Sequence, residues 1–191
     1  MTNTAVRVPQ RASRSVSIPT TRPAATWPPR TRVAEVAAAA ASVLGLGSAV
    51  VSLGWGLGGT FLLDTVGGAV EQAALAGTPL ALAAIVAVVA LKVVGALLPG
   101  WAVSPDGSTV YPSARRRLVR TLAWAEALLL TGYGAVMTVG GVLVTTGAIE
   151  PAPGADLRAI AWHAYLWDPW FLLWGLAATV ALLASRRPGP R

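Results

Sequence analysis

Apolar residues in this sequence are gathered into four long segments, and polar residues into the stretches between them. The segments lie at about 36–63, 80–99, 120–148 and 169–185. A helix needs roughly 20 consecutive apolar residues to cross the core of a bilayer. The pattern therefore predicts an all-α fold, a four-helix transmembrane bundle. Because 28 uncharged residues separate Glu35 from Asp64, the first span is expected to tilt, begin late or loosen near the glycines at 54–59.

Arginines fall almost entirely on alternate sides of these segments. Six precede the first segment, four lie in the second loop and three follow the last segment, whereas only Arg158 lies in the other two loops. Cytoplasmic loops of membrane proteins carry the excess of Lys and Arg. The sequence thus predicts a multi-pass protein of the cell membrane with both termini in the cytoplasm (N-in, C-in).

The first 33 residues are polar, basic and free of acidic residues. Such a segment buries too little apolar surface to offset its ordering entropy, so residues 1–33 are predicted to be a disordered cytoplasmic tail. An organellar transit peptide has a similar composition, but the further spans that follow favour the tail. Residues 34–187 are then the four-span membrane domain, and residues 188–191 are a short C-terminal tail.

The third loop is predicted to contain a short interfacial helix before the last span. Apolar and charged residues mix over 157–167, as in helices that lie along a membrane surface. Tryptophans at positions 162, 167 and 170 would form an aromatic belt at that level. Asp168 is the predicted N-cap of the last span and Pro169 its first helical residue, positions that suit both residue types.

Small residues predict how the helices pack. The third span carries a stripe whose spacing alternates between four and three residues, made of Ala127, Thr131, Gly134, Thr138, Gly141 and Thr145. The first span carries Gly47, Gly54 and Gly58, the last two as a GxxxG pair. Small residues let membrane helices approach closely, so these two faces are expected to meet inside the bundle. A homodimer seam is the alternative.

Lys92 and Glu126 interrupt two of the apolar segments. Counted from the helix ends, both lie roughly 10 Å in from the cytoplasmic side, which predicts an ion pair between adjacent antiparallel helices. The alternative is that Lys92 extends to the inner headgroups while Glu126 is protonated or reaches Arg120 or Arg117. Charged residues in hydrocarbon are costly and need a partner or a function.

Composition narrows the chemistry. Hydrophobic residues make up 54% of the chain and charged residues 12%, about half the charged share of soluble domains. The net charge of +7 comes from arginines at segment ends, where they meet anionic headgroups, so nucleic acid is not an expected partner. Fourteen arginines against one lysine indicate the coding bias of a high-GC genome of an actinobacterial kind.

Recognisable catalytic motifs are missing from the sequence. The absence of cysteine excludes disulfides, thiolate metal sites and iron–sulfur clusters, and a single histidine excludes a bis-histidine haem within one chain. There is no GxSxG motif, and the glycines at 54–59 lack the order of a phosphate loop, so they are expected to pack helices. Asp156, His163 and Asp168 form a candidate polar cluster on the outer face. No catalytic, cofactor or metal site is predicted.

Two stretches, GWGLGGTFLLD at 54–64 and WHAYLWDPWFLLWG at 162–175, resemble the small bacterial membrane family called domain of unknown function 3995. The matching positions are Trp55, Gly58, Gly59, Trp167, Asp168, Pro169 and Gly175. The resemblance covers the four-span body and implies a four-helix integral membrane fold without an established activity. Members are expected to carry a His and an aromatic residue just before the first tryptophan. This chain has Ser52 and Gly54 there, which argues against a histidine-based site.

Three functions follow as hypotheses. The first is a structural or accessory membrane component, in contact with the lipid bilayer and with a membrane protein partner or a second copy. The alternative is a small oligomeric transporter or channel that uses Glu126 and Lys92. A weaker alternative is a membrane enzyme with an outer-face site near His163. The sequence favours a protein that is not an enzyme.

Overall fold

The computed structural model describes residues 29–104 and 113–186. It is all-α over these ranges, with no strand among them. The α-helices are α1 (Pro29–Gly56), α2 (Gly68–Ala76), α3 (Pro79–Val103), α4 (Ser113–Thr145), α5 (Leu157–Trp162) and α6 (Asp168–Ala184), with a 3-10 helix at Leu63–Thr65 and a π-helical segment at His163–Trp167.

Four helical stretches are long and apolar enough to cross a membrane: Arg32–Gly56, Pro79–Val103, Ser113–Thr145 and Leu157–Ala184. We call the end formed by residues 57–78 and 146–167 the loop end of the bundle. The opposite end, which carries Arg120 and Arg186, is the arginine end. Most of the predicted N-terminal tail and the C-terminal tail at 188–191 lie outside the described residues, but Pro29–Val33 of the predicted tail belong to α1.

Helix α1 ends at Gly56, seven residues before the predicted end of the first span. The Gly59 N–H donates to the carbonyl of Gly54 at 2.8 Å, and the Gly58 N–H to that of Trp55 at 3.1 Å. This pair of bonds is a Schellman cap. It requires the left-handed φ of +87° that Gly58 adopts, a conformation that glycine reaches without steric cost.

The glycines at 54–59 therefore end a helix, and the prediction that they pack helices was wrong for most of them. A Cβ placed on Gly54 or Gly58 would meet nothing within 4 Å, and only Gly56 lies against another helix, at Ile85.

The second and third spans extend beyond their predicted bounds of 80–99 and 120–148 towards the arginine end. Helix α3 begins at a side-chain cap, in which the Thr78 hydroxyl accepts from the N–H of Ala81. It continues through the buried Pro99 to Val103, since neighbouring helices let membrane helices tolerate proline. Helix α4 begins at Ser113 and ends at Thr145.

The last span is part of one continuous helical stretch from Leu157 to Ala184. Asp156 caps its start, with Oδ1 accepting the N–H groups of Arg158 and Ala159 at 3.0 and 3.1 Å. The prediction of Asp168 as an N-cap was wrong, because residue 167 is already helical and the chain passes through the π-helical segment without a break. The predicted short helix is the first part of this stretch, and its place at a membrane surface stays a prediction.

Helix α6 lies between α1 and α4, while α3 packs on α1 and on α4. The contacts depend on small residues: Gly134 lies against Leu172, Gly175 against Thr131, and Gly141 against Ala164. The stripe of small residues predicted on the third span, now α4, thus faces α6 and the π-helical segment.

The prediction that the small-residue faces of α1 and α4 meet was wrong, since α1 and α4 make only marginal contact. The reason is that Trp174, 3% exposed, fills the space between them with alanines from all four helices.

Candidate functional site

A cavity of about 370 Å³ lies in the half of the bundle nearest the loop end. Helices α1, α2 and α3, the π-helical segment and the start of α6 line it, and it is partly open to the exterior. Most of its lining side chains are apolar; the polar exceptions are Ser48, Ser52, Lys92 and His163, besides the indole N–H groups of two tryptophans. Small-molecule sites are typically apolar cavities of roughly 300–1,000 Å³ with a few polar groups, and this cavity lies at the lower end of that range.

Lys92 lies at the end of the cavity farthest from α2. Gly45 faces Ala96 and Gly56 faces Ile85, so in this antiparallel pair Lys92 lies opposite residue 49 of α1. Its Nζ extends about one turn towards the loop end and donates to Ser52 Oγ at 2.7 Å, with a longer contact of 3.5 Å to the Ser48 carbonyl. The Phe171 ring centroid lies 5.6 Å from Nζ, so an aromatic face also contacts the ammonium group.

The predicted ion pair between Lys92 and Glu126 is not formed. Lys92 turns to the serines of α1, whereas the Glu126 carboxylate lies against Gly95, where an added Cβ would come 2.5 Å from Oε1. Glu126 Oε2 is buried without a hydrogen-bond partner among the described residues. The guanidinium of Arg120 does not reach it either, because it donates to Ser185 Oγ and the Leu182 carbonyl at the end of α6.

His163 lies at the opposite end of the cavity from Lys92, within the π-helical segment. Its Nδ1 lies 3.2 Å from Asp168 Oδ1, and its Nε2 lies 3.2 Å from the Val66 carbonyl. Asp168 is 1% exposed, and the imidazole joins this buried carboxylate to the loop that follows the 3-10 helix. Both ring nitrogens thus have protein partners, and the residue connects two elements of the loop end.

Of the predicted outer-face cluster, the structure brings His163 and Asp168 together. Asp156 stands apart, because its carboxylate caps α5. No group of three or more potential metal ligands converges in the described ranges.

Two tryptophans form one wall of the cavity. The Trp55 and Trp167 rings pack edge to face, with centroids 5.7 Å apart. The indole N–H of Trp55 donates to the Phe61 carbonyl at 2.8 Å, and that of Trp167 donates to the buried Thr65 hydroxyl at 3.1 Å. Both polar tips are thereby satisfied inside the protein, and the ring faces are left for the cavity.

This wall contradicts part of the predicted aromatic belt. Trp167 is buried, and Trp170 packs against Gly47 and donates to the Leu44 carbonyl at 2.9 Å. Of the three tryptophans, only Trp162 is exposed. Tryptophan is suited to either environment, provided that its N–H finds an acceptor.

Helix α2 covers the cavity at the loop end. It is nine residues long, contains no buried residue, begins at Gly68 and is flanked by Gly67 and Gly77; all three glycines have positive φ. Ala69, Val70, Ala73 and Ala74 of this segment line the cavity. An exposed helix between such glycines has few contacts to hold it, a property of segments that open locally.

Sequence reasoning missed the serines of this site and the cavity itself. Ser48 and Ser52 are four residues apart on an otherwise apolar helix, so both project from one face. That spacing, together with one lysine on a neighbouring span, was a usable signal. The cavity had none, because it forms only where five elements pack together, and the residues that line it span positions 48 to 171.

The residues of the family resemblance gather around this site or support it. Trp55 and Trp167 line it, Gly58 and Gly59 form the cap of α1, Asp168 holds His163, and Gly175 lies against Thr131. Pro169 lies in the first turn of α6, and the prediction that it is the first helical residue of the last span was wrong, because the helical stretch begins at Leu157.

A family model described as "Protein of unknown function (DUF3995)" matches residues 44–178 of the chain. The match includes all the residues that line the cavity. No curated protein and no solved structure matches the chain.

Proposed function

The chain belongs to the DUF3995 family of proteins of unknown function, as the two tryptophan-rich stretches predicted, and from this premise we propose that it is an accessory membrane protein that binds a hydrophobic ligand. The observation that carries the proposal is the cavity beside Trp55 and Trp167, with its apolar walls and a lysine at one end. The protein would act by holding a membrane-soluble molecule rather than by transforming it.

Support also comes from how the polar groups near the cavity are used. His163 contacts Asp168 and the Val66 carbonyl, and the exposed Arg158 is paired with Asp64 at 2.6 Å. These contacts join the 64–66 segment to α5, the π-helical segment and the start of α6. An enzyme site near His163 would instead need a third polar group aimed at a reacting atom, and Asp156 does not supply it.

We propose in addition that both termini face the cytoplasm, so that the cavity lies on the outer side of the cell membrane. The support is the alternation of arginines, which puts six before the first apolar segment and only Arg158 at the loop end of the protein. A ligand would then enter from the outer leaflet or from the external medium, past α2. Cysteines introduced singly at Ala76 and Ser185 and labelled from outside intact cells test this orientation, since only the first should react.

The binding proposal is tested by filling the cavity. Ala84 lines the cavity, whereas Ala83, on the same helix, is also exposed but does not line it. Nanodiscs containing hexadecanol, a neutral single-chain probe, would be analysed by native mass spectrometry. Ala84→Phe should reduce the fraction of protein that carries the probe, and the matched control Ala83→Phe should not. Equal retention by the two variants would remove the support for a binding cavity.

A second candidate function is a small oligomeric transporter or channel. It is favoured by one observation: the Glu126 carboxylate lies against Gly95, and its Oε2 is buried without a hydrogen-bond partner in the described chain. An ion or a proton could occupy such a place. Proton flux into liposomes that disappears in Glu126→Gln would support this function, and equal flux in the two proteins would exclude a role for Glu126.

A protein partner or a second copy is a further expectation for an accessory protein of this kind. Purification in a mild detergent, with mass spectrometry of co-eluting proteins, distinguishes the possibilities. Isolation as a stable monomer, without a partner, would count against assembly while leaving ligand binding intact.

A further inference from the structure

We propose that the ligand of this cavity is a single-chain hydrophobic acid whose carboxylate binds the ammonium group of Lys92. The chain of the acid would extend from there along Trp55 and Trp167 towards α2. This inference rests on the proposed binding function and specifies the chemical class of the ligand.

The hydrogen-bond inventory at Lys92 leaves room for such a group. An ammonium has three N–H donors. One is used at Ser52 Oγ, and a second makes the long contact to the Ser48 carbonyl. Because Ser52 Oγ accepts from Lys92, its own hydroxyl hydrogen remains available to donate. A carboxylate in the cavity can therefore accept from Lys92 and from Ser52 together.

Charge complementarity favours an acid over a neutral molecule. Lys92 makes no ion pair with any carboxylate in residues 29–104 and 113–186, and Glu126, its predicted partner, lies against Gly95 instead. A charge within a membrane span is expected to have a partner or a function. A bound carboxylate would supply the missing counter-charge, and two donors would compensate its own desolvation.

The other basic residues near the loop end are not available for this role. Arg158 is paired with Asp64, and both ring nitrogens of His163 have protein partners. No other lysine or arginine of residues 29–104 and 113–186 lines the cavity. The anionic end of a ligand thus has one place to bind, which is the end of the cavity farthest from α2.

The size of the cavity points to a single chain. Its volume of about 370 Å³ is near the lower limit of roughly 300 Å³ for small-molecule sites, and it suits one aliphatic chain better than the two chains of a phospholipid. Its walls are alanine, valine and isoleucine side chains together with the faces of Trp55 and Trp167, surfaces that favour an unbranched aliphatic chain over a polar one.

The test compares hexadecanoate with hexadecanol, which have the same number of carbon atoms but differ in charge. Both are titrated into nanodiscs containing the full chain, and occupancy is measured by native mass spectrometry. Lys92→Met removes the charge and keeps a flexible apolar side chain. The acid should bind the unchanged protein more tightly than the alcohol. Lys92→Met should raise the Kd of the acid by about ten-fold or more, which is the value of a hydrogen bond to a charged group. It should raise the Kd of the alcohol by a smaller factor.

Three results would overturn the inference. The first is that the unchanged protein binds the acid and the alcohol with equal affinity. The second is that Lys92→Met weakens the binding of both probes by the same factor. In either case the cavity binds a ligand but does not select it by charge. The first comparison needs no variant, so it holds even where Lys92→Met does not fold. If neither probe distinguishes the unchanged protein from Ala84→Phe, the proposed function itself fails.

Discussion

The close approach of α4 and α6 makes Gly134→Ala the most informative substitution for the fold. A Cβ on Gly134 would lie 2.5 Å from the backbone nitrogen of Leu172 and 2.7 Å from its Cα. Ordinary contacts between carbon atoms are about 3.5–4.0 Å, so the two backbones would have to separate by roughly 1 Å. Overpacking of this kind costs about 1–3 kcal/mol, and it acts on the contact that holds α6 against α4.

Gly132→Ala is the matched control, because a Cβ at Gly132 meets nothing within 4 Å. Alanine is favoured over glycine in a helix by about 1 kcal/mol, so this variant should be as stable as the parent or more stable. The same preference for alanine applies at position 134 and cancels in the comparison, so the two variants should differ by about 1–3 kcal/mol in the free energy of unfolding. Equilibrium unfolding in mixed micelles of a mild detergent and dodecyl sulfate measures the difference. Equal stability of the two variants would refute the inferred approach of the helices.

Three further predictions concern the loop end. Thr65→Val removes the hydroxyl that accepts from the indole of Trp167; a buried donor without its acceptor costs about 1–3 kcal/mol, and the same unfolding assay should report that loss. Asp156→Ala removes the cap of α5 and should lower stability by about 1 kcal/mol, whereas Asp156→Asn, which keeps a capping side chain, should restore most of it. Asp64→Asn removes the ion pair with Arg158, whose side chains are 55% and 63% exposed, so the stability should change by about 1 kcal/mol or less, and raising the salt concentration should reduce the difference from the parent.

Ligand binding is where the sequence was least informative. Lys92 was recognised as a residue that needs a partner, but the wrong partner was assigned, because matching depth on adjacent helices says nothing about which way each side chain turns. Helix α3 rotates Lys92 towards the serines of α1, and Glu126 faces Gly95. The direction of the Lys92 side chain follows from which faces of α3 pack on α1 and on α4. The neighbouring helices therefore decide it, and the identity of the residue alone does not.

Asp168 and the glycines at 54–59 illustrate a different limit. Aspartate before proline is a good N-cap in isolation, yet the helix begins at Leu157 because Asp156 caps it earlier, and Asp168 is buried beside His163. A GxxxG pair is a good packing motif, yet Gly58 ends α1 at a positive φ. In both cases one short motif was compatible with two structures, and contacts remote in the sequence selected between them.

Span number, helical class and family could all be read from the chain alone, because apolar run length and a few tryptophan-rich stretches carry them locally. The order of packing could not. The packing order depends on Trp174, which fills the core between the helices, and on Gly134 and Gly175, which let α4 and α6 approach closely. The cavity exists only in that arrangement, since residues 40 or more positions apart, such as Ser52 and Lys92, form it by contact.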